Sequence, residues 1–303
     1  MPNDILEFDC PQQALEIGNV TIGGEPGINP SVLIGSIFYH GHDVVTDENA
    51  GDFDVAAATA RIREQEDFSE RTGCPGMLDV VGASPQAIER HLEFAADVTD
   101  MPLLIDGTTT EVRLAGLKYV EKAGLGDRIV YNSIQPEIND DEFKAIEDAG
   151  VTAAILLTYY IMDFTGAGRV QAVRELAPRA QERGIDKLII DTCVLDLASM
   201  GQAMAAMVGI KNEFGLPVGG GVHNAVAVWK GLKTKMGKQA KKPCLASACA
   251  AAPAVGANFA LYGPIEDAQY VFPAVAMIDT AQSQIAMERD QFPVKTHPRF
   301  RVG

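Results

Sequence analysis

Polar side chains stand at the ends of a series of short apolar runs. The runs read Gly76-Met-Leu-Asp79, Pro102-Leu-Leu-Ile-Asp106, Arg128-Ile-Val-Tyr-Asn132 and Lys187-Leu-Ile-Ile-Asp191, and Pro217-Val-Gly-Gly-Gly-Val-His-Asn224 belongs with them. A short continuous apolar run reads as a buried parallel strand, because both of its faces are covered. Parallel strands closed into a barrel share one mouth at their C-terminal ends, so these residues would converge on one ligand there. A carboxylate accepts the paired ring and exocyclic N–H donors of a guanidine-like edge. An asparagine adds both a donor and an acceptor and reads a mixed amide edge. The set suits a nitrogen-rich heterocycle such as a pterin or purine better than a phosphate.

Each residue also has a plainer role. One acidic residue after a strand is usually the N-cap of the next helix. Recurrence around a ring weakens that explanation. Asn132 fits it poorly, lying well before its predicted helix, and Asp106 precedes three threonines that can cap instead. The three glycines of the 219–221 loop either let backbone approach a ligand or make a tight turn. They form neither a Walker A loop nor a dinucleotide fingerprint. His223 is open to two roles, a satisfied structural histidine or a proton carrier beside the ring.

Tyr39-His40-Gly41-His42-Asp43 resembles the start of a barrel metallohydrolase site, which needs further histidines at later strand ends. Only His223 is so placed, since His91 falls inside a predicted helix and His297 near the end of the sequence. No metal is therefore expected. Nor does any cysteine adjoin a plausible base, so a thiolate nucleophile is unsupported. Lys230, Lys233, Lys235, Lys238, Lys241 and Lys242 form the one basic cluster, either a solvated face or an edge that meets an acidic partner.

The elements that must position these residues alternate. An opening hairpin is expected within the first 30 or so residues, then a first barrel strand over 32–38. Helices are predicted over 54–71, 85–98, from the 107–110 Gly-Thr cluster to near 124, 140–149, 170–183 and 197–214, each after a strand. Ser84 as N-cap with Pro85 at N1 is the strongest of the helix starts. A last strand over 258–262 precedes a helix over 267–289. Alternating βα units with short joins predict one (βα)8 TIM barrel over 1–303. The hairpin precedes it, and a C-terminal helical extension over about 264–303 would cap the barrel or mediate dimerisation.

Composition agrees. Of 303 residues 47% are hydrophobic, enough for a large core, and a formal charge of −16 argues against nucleic acid and anionic membrane surfaces. Five scattered cysteines without a C-x-x-C pair read as free thiols of a reducing compartment. No stretch approaches the roughly 18 apolar residues of a membrane span, and no secretory leader is visible. A cytoplasmic protein is expected.

The motifs resemble a known family. Gly23-Gly24-Glu-Pro-Gly27, Gly35-Ser-Ile-Phe-Tyr39, Leu104-Ile-Asp106, Tyr131-Asn-Ser-Ile134, Ile190-Asp-Thr192 and Phe214-Gly-Leu-Pro-Val-Gly-Gly-Gly-Val-His-Asn224 are similar to the H-subunit family of tetrahydromethanopterin S-methyltransferase. That family includes bacterial relatives that use tetrahydrofolate, such as the methyltransferase of glycine betaine demethylation. The resemblance runs from about Gly23 to Trp229. It implies a pterin-binding barrel of the dihydropteroate synthase type, usually a homodimer, that moves a methyl group between N5 of a reduced pterin and the cobalt of a corrinoid (cobalamin) protein by direct displacement.

Carried over position by position, the resemblance makes Asp106, Asn132 and Asp191 the readers of the pterin edge, with Ser133, Gly220 and Gly221 completing the binding set. Asn224 falls near the family amide that approaches N5, and Asp79, Asp191 and Asn224 are the candidates for delivering a proton to it through water. The methanogen protein carries a longer insertion after strand five, where this chain has only Met162-Asp-Phe-Thr-Gly-Ala-Gly168. The short loop resembles the bacterial branch and points to tetrahydrofolate, with tetrahydromethanopterin as the alternative. A metal-dependent hydrolase, a pteroate synthase-like condensing enzyme and a non-catalytic corrinoid-docking subunit remain open.

Overall fold

Apolar runs that are covered on both faces pair in parallel, and here they close on themselves. The computed structural model describes residues 5–159 and 162–303. It begins with an antiparallel hairpin of β1 (Ala14–Ile17) and β2 (Val20–Gly23). After β3 (Val32–Ile37) comes a small hairpin, β4 (Val45–Asp47) with β5 (Asp52–Phe53). There follow α1 (Val55–Thr72), β6 (Gly76–Gly82), α2 (Pro85–Val98), β7 (Leu103–Gly107), α3 (Thr110–Ala123), β8 (Ile129–Ile134), α4 (Asp140–Asp148) and β9 (Ala153–Leu157). The rest are α5 (Gly166–Gln181), β10 (Lys187–Asp191), α6 (Leu197–Phe214), β11 (Val218–Gly219), α7 (Asn224–Ala227), α8 (Lys241–Ala254), β12 (Phe259–Pro264) and α9 (Ala268–Glu288).

Eight strands form one sheet in the order β11-β10-β9-β8-β7-β6-β3-β12, every pair parallel. The outer two meet through backbone bonds, Asn258 N to Val218 O at 2.7 Å and Leu261 N to Gly220 O at 3.1 Å, which closes the barrel. Gly219 makes the closure possible: a Cβ there would lie 2.1 Å from the carbonyl oxygen of Phe259. The expected (βα)8 barrel is the observed architecture.

Alternation along the strands then fixes what faces inward. Ile34, Met77, Leu104, Val130, Ile155 and Ile189 fill the barrel interior and pack on Ile17, Val20 and Ile22 of the hairpin, which plugs its N-terminal end. The intervening Leu33, Leu78, Leu103, Ile129, Leu156 and Ile190 pack outward under the helices. Two residues beyond an interior apolar position, period 2 places Ser36, Asp79, Asp106, Asn132 and Asp191 inside, towards the mouth.

The helix ends follow local chemistry. Asp54, Ser84, Thr109 and Asn139 each accept a backbone N–H in the first turn of the helix they cap. Thr109 capping α3 frees Asp106 from that duty. Two features differ from expectation. Helix α5 starts at Gly166 rather than 170, because Thr165 caps it and a bare Gly166 lets it approach α6, where a Cβ would sit 3.3 Å from that of Ala205. The lysine cluster is not one helix face: it spans a π turn (Leu232–Met236), a 3-10 turn (Lys238–Ala240) and the start of α8, a helix the sequence pattern did not reveal.

Candidate active site

Asp79 organises the interior polar layer. It is 2% exposed and accepts hydrogen bonds from Ser36 Oγ at 2.7 Å and from Asn132 Nδ2 at 3.2 Å. Burial raises its carboxyl to about 6, while those two donors hold it down. Asp106 lies in register with Asn132 on the neighbouring strand and accepts no hydrogen bond from any described residue. Burial and then the Asp79 charge push its carboxyl up to about 8, against the pull of Arg113. Asp79, which has its own donors, ionises first, and Asp106 keeps its proton at neutral pH.

Across the mouth, Asp191 ends β10. Its Oδ1 accepts the Cys193 N–H at 2.7 Å, and the Gly221 N–H also lowers its pKa, yet burial holds the carboxyl near 6. Gly220 leaves room for it, since a Cβ there would fall 2.9 Å from Asp191 Oδ1. Beneath the turn lies Arg169, 1% exposed. Its guanidinium donates to the carbonyls of Thr192 (2.7 Å), Cys193 (3.2 Å), Thr165 (3.3 Å) and Phe164. A buried cation bonded wholly to carbonyls ties the loop before α5 to the loop after β10, and its charge lowers the pKa of Asp191.

Asn224 opens α7 against Gly221, its Nδ2 donating to Val194 O at 3.1 Å, so its Oδ1 is the atom left for a ligand. His223 faces the Leu261 carbonyl through Nδ1 at 2.9 Å. A carbonyl only accepts, so Nδ1 carries the hydrogen; burial lowers the ring's pKa and keeps it neutral. Ser133 stands apart. It lines a small cavity of about 120 Å³ with Thr110, Arg113, Gln135 and Glu142, where Arg113 bridges Tyr131 at 2.9 Å and Glu142 at 2.9 Å.

The structure thus brings together Asp79, Asp106, Asn132 and Asp191, sets Asn224, Gly220 and Gly221 at the loop above β11, and leaves Ser133 outside the layer. Sequence reasoning gave no role to Ser36 or Arg169. Strand alternation would have found Ser36; nothing short of the fold reveals an arginine bonded only to carbonyls.

The 39–43 motif is also resolved. His40 is exposed and meets Glu48 at 2.9 Å, whereas His42 is buried, stacks on Tyr39 and accepts the Phe38 N–H at Nδ1. Its Nε2 lies 3.7 Å from Glu266, which also accepts from Tyr39 Oη at 2.7 Å. Among the described residues no group of three or more His, Cys, Asp or Glu side chains is disposed to hold a metal ion.

Fold and site together define a (βα)8 barrel whose mouth gathers carboxylates and an amide at the ends of its strands. Solved structures of the same fold include Yersinia pestis dihydropteroate synthase with a pterine-sulfa conjugate (TM-score 0.64, 16% identity, covering 89% of this chain and 100% of that one). Another is Xanthomonas albilineans dihydropteroate synthase with indole-2-carboxylic acid and 6-chloroguanine (TM-score 0.57, 20% identity, 84% and 94% covered).

The family profile described as tetrahydromethanopterin S-methyltransferase MtrH subunit matches residues 11–292. The tetrahydromethanopterin S-methyltransferase H-subunit of Methanothermobacter thermautotrophicus is 39% identical, over 98% of this chain and 100% of its own length. Its counterpart in Methanocaldococcus jannaschii is 35% identical over 97% and 98%. The H-subunit of a putative mtx methyltransferase of Methanosarcina mazei is 36% identical over 97% and 98%. This chain belongs to the MtrH family of methyltransferase subunits.

Proposed function

We propose that this chain transfers a methyl group between N5 of a reduced pterin and the cobalt of a corrinoid carried by a partner protein. The observation that carries the reading is Asp106, a half-buried carboxyl with no donor of its own beside the Asn132 amide. Its raised pKa marks a group that lacks hydrogen-bond donors, and a guanidine-like edge supplies them in pairs. Asn132 offers its free Oδ1 to the amide edge while Asp79, itself held by Ser36, fixes its orientation. Asp191, poised near 6, holds or releases the proton that N5 must gain on losing its methyl group, through water shared with Asn224. Asp79 is the reserve for that proton on the other side of the layer.

The corrinoid supplies a cobalt centre that accepts or gives the methyl group, so the protein's work is to bind, orient and exclude water. No activated nucleophile is needed for a direct displacement. The partner would sit over the mouth, where exposed apolar side chains gather. A homodimer in the cytoplasm belongs to the same reading; Met277 on α9 and Phe292 beyond it are exposed apolar surfaces that a second copy would cover.

Two arguments bear on which pterin is used. The short 162–168 loop favours tetrahydrofolate. The named relatives favour tetrahydromethanopterin. Calorimetric titration with each pterin decides between them. Micromolar binding of one is expected, weakened about 100-fold in an Asp106→Ala, Asn132→Ala double variant through the loss of charge-assisted bonds. Binding of neither pterin, or binding untouched by the double substitution, overturns the reading.

A further inference from the structure

The lysine cluster surrounds a cavity. A groove of about 350 Å³ opens between α7 and the start of α8, with Val226, Trp229 and Leu232 as its apolar floor and Lys233, Lys238 and Lys241 on its rim. The floor is packed from behind by Ala248 and Cys244, so its shape is built into the fold. The lining residues belong to the segment from the end of β11 to the start of α8, so the groove lies at the C-terminal end of the barrel strands, the same end as the polar layer.

Its charge is out of keeping with the rest of the molecule. Residues 226–242 contain six lysines and no acidic residue in a chain of formal net charge −16. Lys242 pairs with Asp267, whereas Lys233, Lys238 and Lys241 have no carboxylate within ion-pair distance among the described residues. Lys241 also stands in the first turn of α8, where the helix dipole disfavours a cation. Crowded cations around an indole floor suit a ligand with a flat apolar part and several negative charges. The volume lies in the range of small-molecule sites.

We propose that this groove takes the anionic aryl tail of the same pterin cofactor, the ring against Trp229 and its carboxylates or phosphate on Lys233, Lys238 and Lys241. The inference rests on the pterin reading above. A tail of linked glutamates and a tail bearing phosphate share the chemistry the groove recognises.

Trp229 is the single tryptophan of the chain, so its emission reports on the groove alone. The test uses the full chain with 6-methyltetrahydropterin (no tail), tetrahydrofolate carrying one or three glutamates, tetrahydromethanopterin, and p-aminobenzoyl-triglutamate (tail alone). The tail alone is expected to shift Trp229 emission, and affinity to rise with tail charge and fall with salt. K233E/K238E/K241E removes that gain, roughly tenfold for three exposed charge pairs, and leaves 6-methyltetrahydropterin binding unchanged. A gain in only the glutamate series or only tetrahydromethanopterin identifies the tail.

A charge-matched triple at Lys118, Lys122 and Lys295 should retain the gain; equal loss there overturns the proposal. So does a tail that adds nothing while the ring still binds, which leaves the pterin site standing. Lysine variants that lose only partner-dependent methyl transfer assign the cluster to an acidic protein instead. Failure of every pterin to bind overturns both readings.

Discussion

Asp106 connects stability to recognition in one side chain. An acid whose pKa is about 8 in the fold, against the ordinary 3.8, binds its proton more tightly folded than unfolded. Its contribution to stability is therefore fully present below about pH 4 and is lost as pH rises towards 8. A ligand that donates two N–H bonds reverses this, because it favours the ionised carboxylate. Asp106→Asn is expected to raise the melting temperature of the ligand-free protein at pH 8 by roughly 2–4 °C, the equivalent of about 1 kcal/mol, and to give no gain at pH 4. The same variant should weaken pterin binding, and the wild-type affinity should climb between pH 6 and 8 as binding ceases to require deprotonation. A calorimetric pH series checks both, and a variant that is destabilised at pH 8 would contradict the assignment of strain to this carboxyl. The position was legible beforehand because a polar residue ending an apolar run is conspicuous. Ser36 was not, since a small hydroxyl within a buried strand carries no such contrast; only its inward parity with Asp79 gives it meaning.

At the scale of elements, the turn after β10 depends on a residue from the preceding helix. Arg169 satisfies carbonyls on both loops, so removing its guanidinium leaves several buried acceptors without donors. Arg169→Met should cost about 3 kcal/mol in denaturant unfolding, in the range for stripping a partner from a buried charged network. It should also move the Asp191 carboxyl upward, since a nearby cation is gone, and so displace the acid limb of the pH–rate profile to higher pH. An unchanged profile together with unchanged stability would show that the loops are held by something else. The barrel strands and the capped helices α1, α2 and α6 could be read from the chain because apolar continuity, Asp54, Ser84 and Gly215 mark them. Helix α8 could not, because its buried face consists of Ala248, Cys249, Ala252, Pro253 and one large residue, Leu245, which makes no apolar stripe. Strand β11 is only two residues long, so its place in the barrel depends on Gly219 fitting against Phe259 rather than on any local propensity.

Across the whole molecule, the mouth of the barrel is asymmetric. The loops after β9, β10 and β11 and the first turn of α9 expose Met162 (82%), Leu195 (47%), Val228 (50%) and Tyr270 (41%), whereas among the described residues between β3 and β9 the exposed large apolar residue is Val55. Exposed apolar side chains on successive segments around a recessed polar site supply the kind of surface a partner covers. No helix among the described residues is long and apolar enough to cross a membrane. On the reading proposed above, a corrinoid-bearing partner approaches over this half, next to Asp191 and Asn224 and away from the Asp106 edge. Met162→Glu with Leu195→Glu should therefore lower kcat/KM for methyl transfer with the protein-borne corrinoid by tenfold or so, as truncation of interface anchors does. Pterin affinity should stay within about twofold, because neither side chain belongs to the polar layer, and transfer to free cobalamin should be unaffected. Equal loss with free cobalamin would mean that the two loops shape the site itself. Loss confined to the protein-borne substrate would divide the mouth into a half that reads the pterin and a half that receives the methyl carrier.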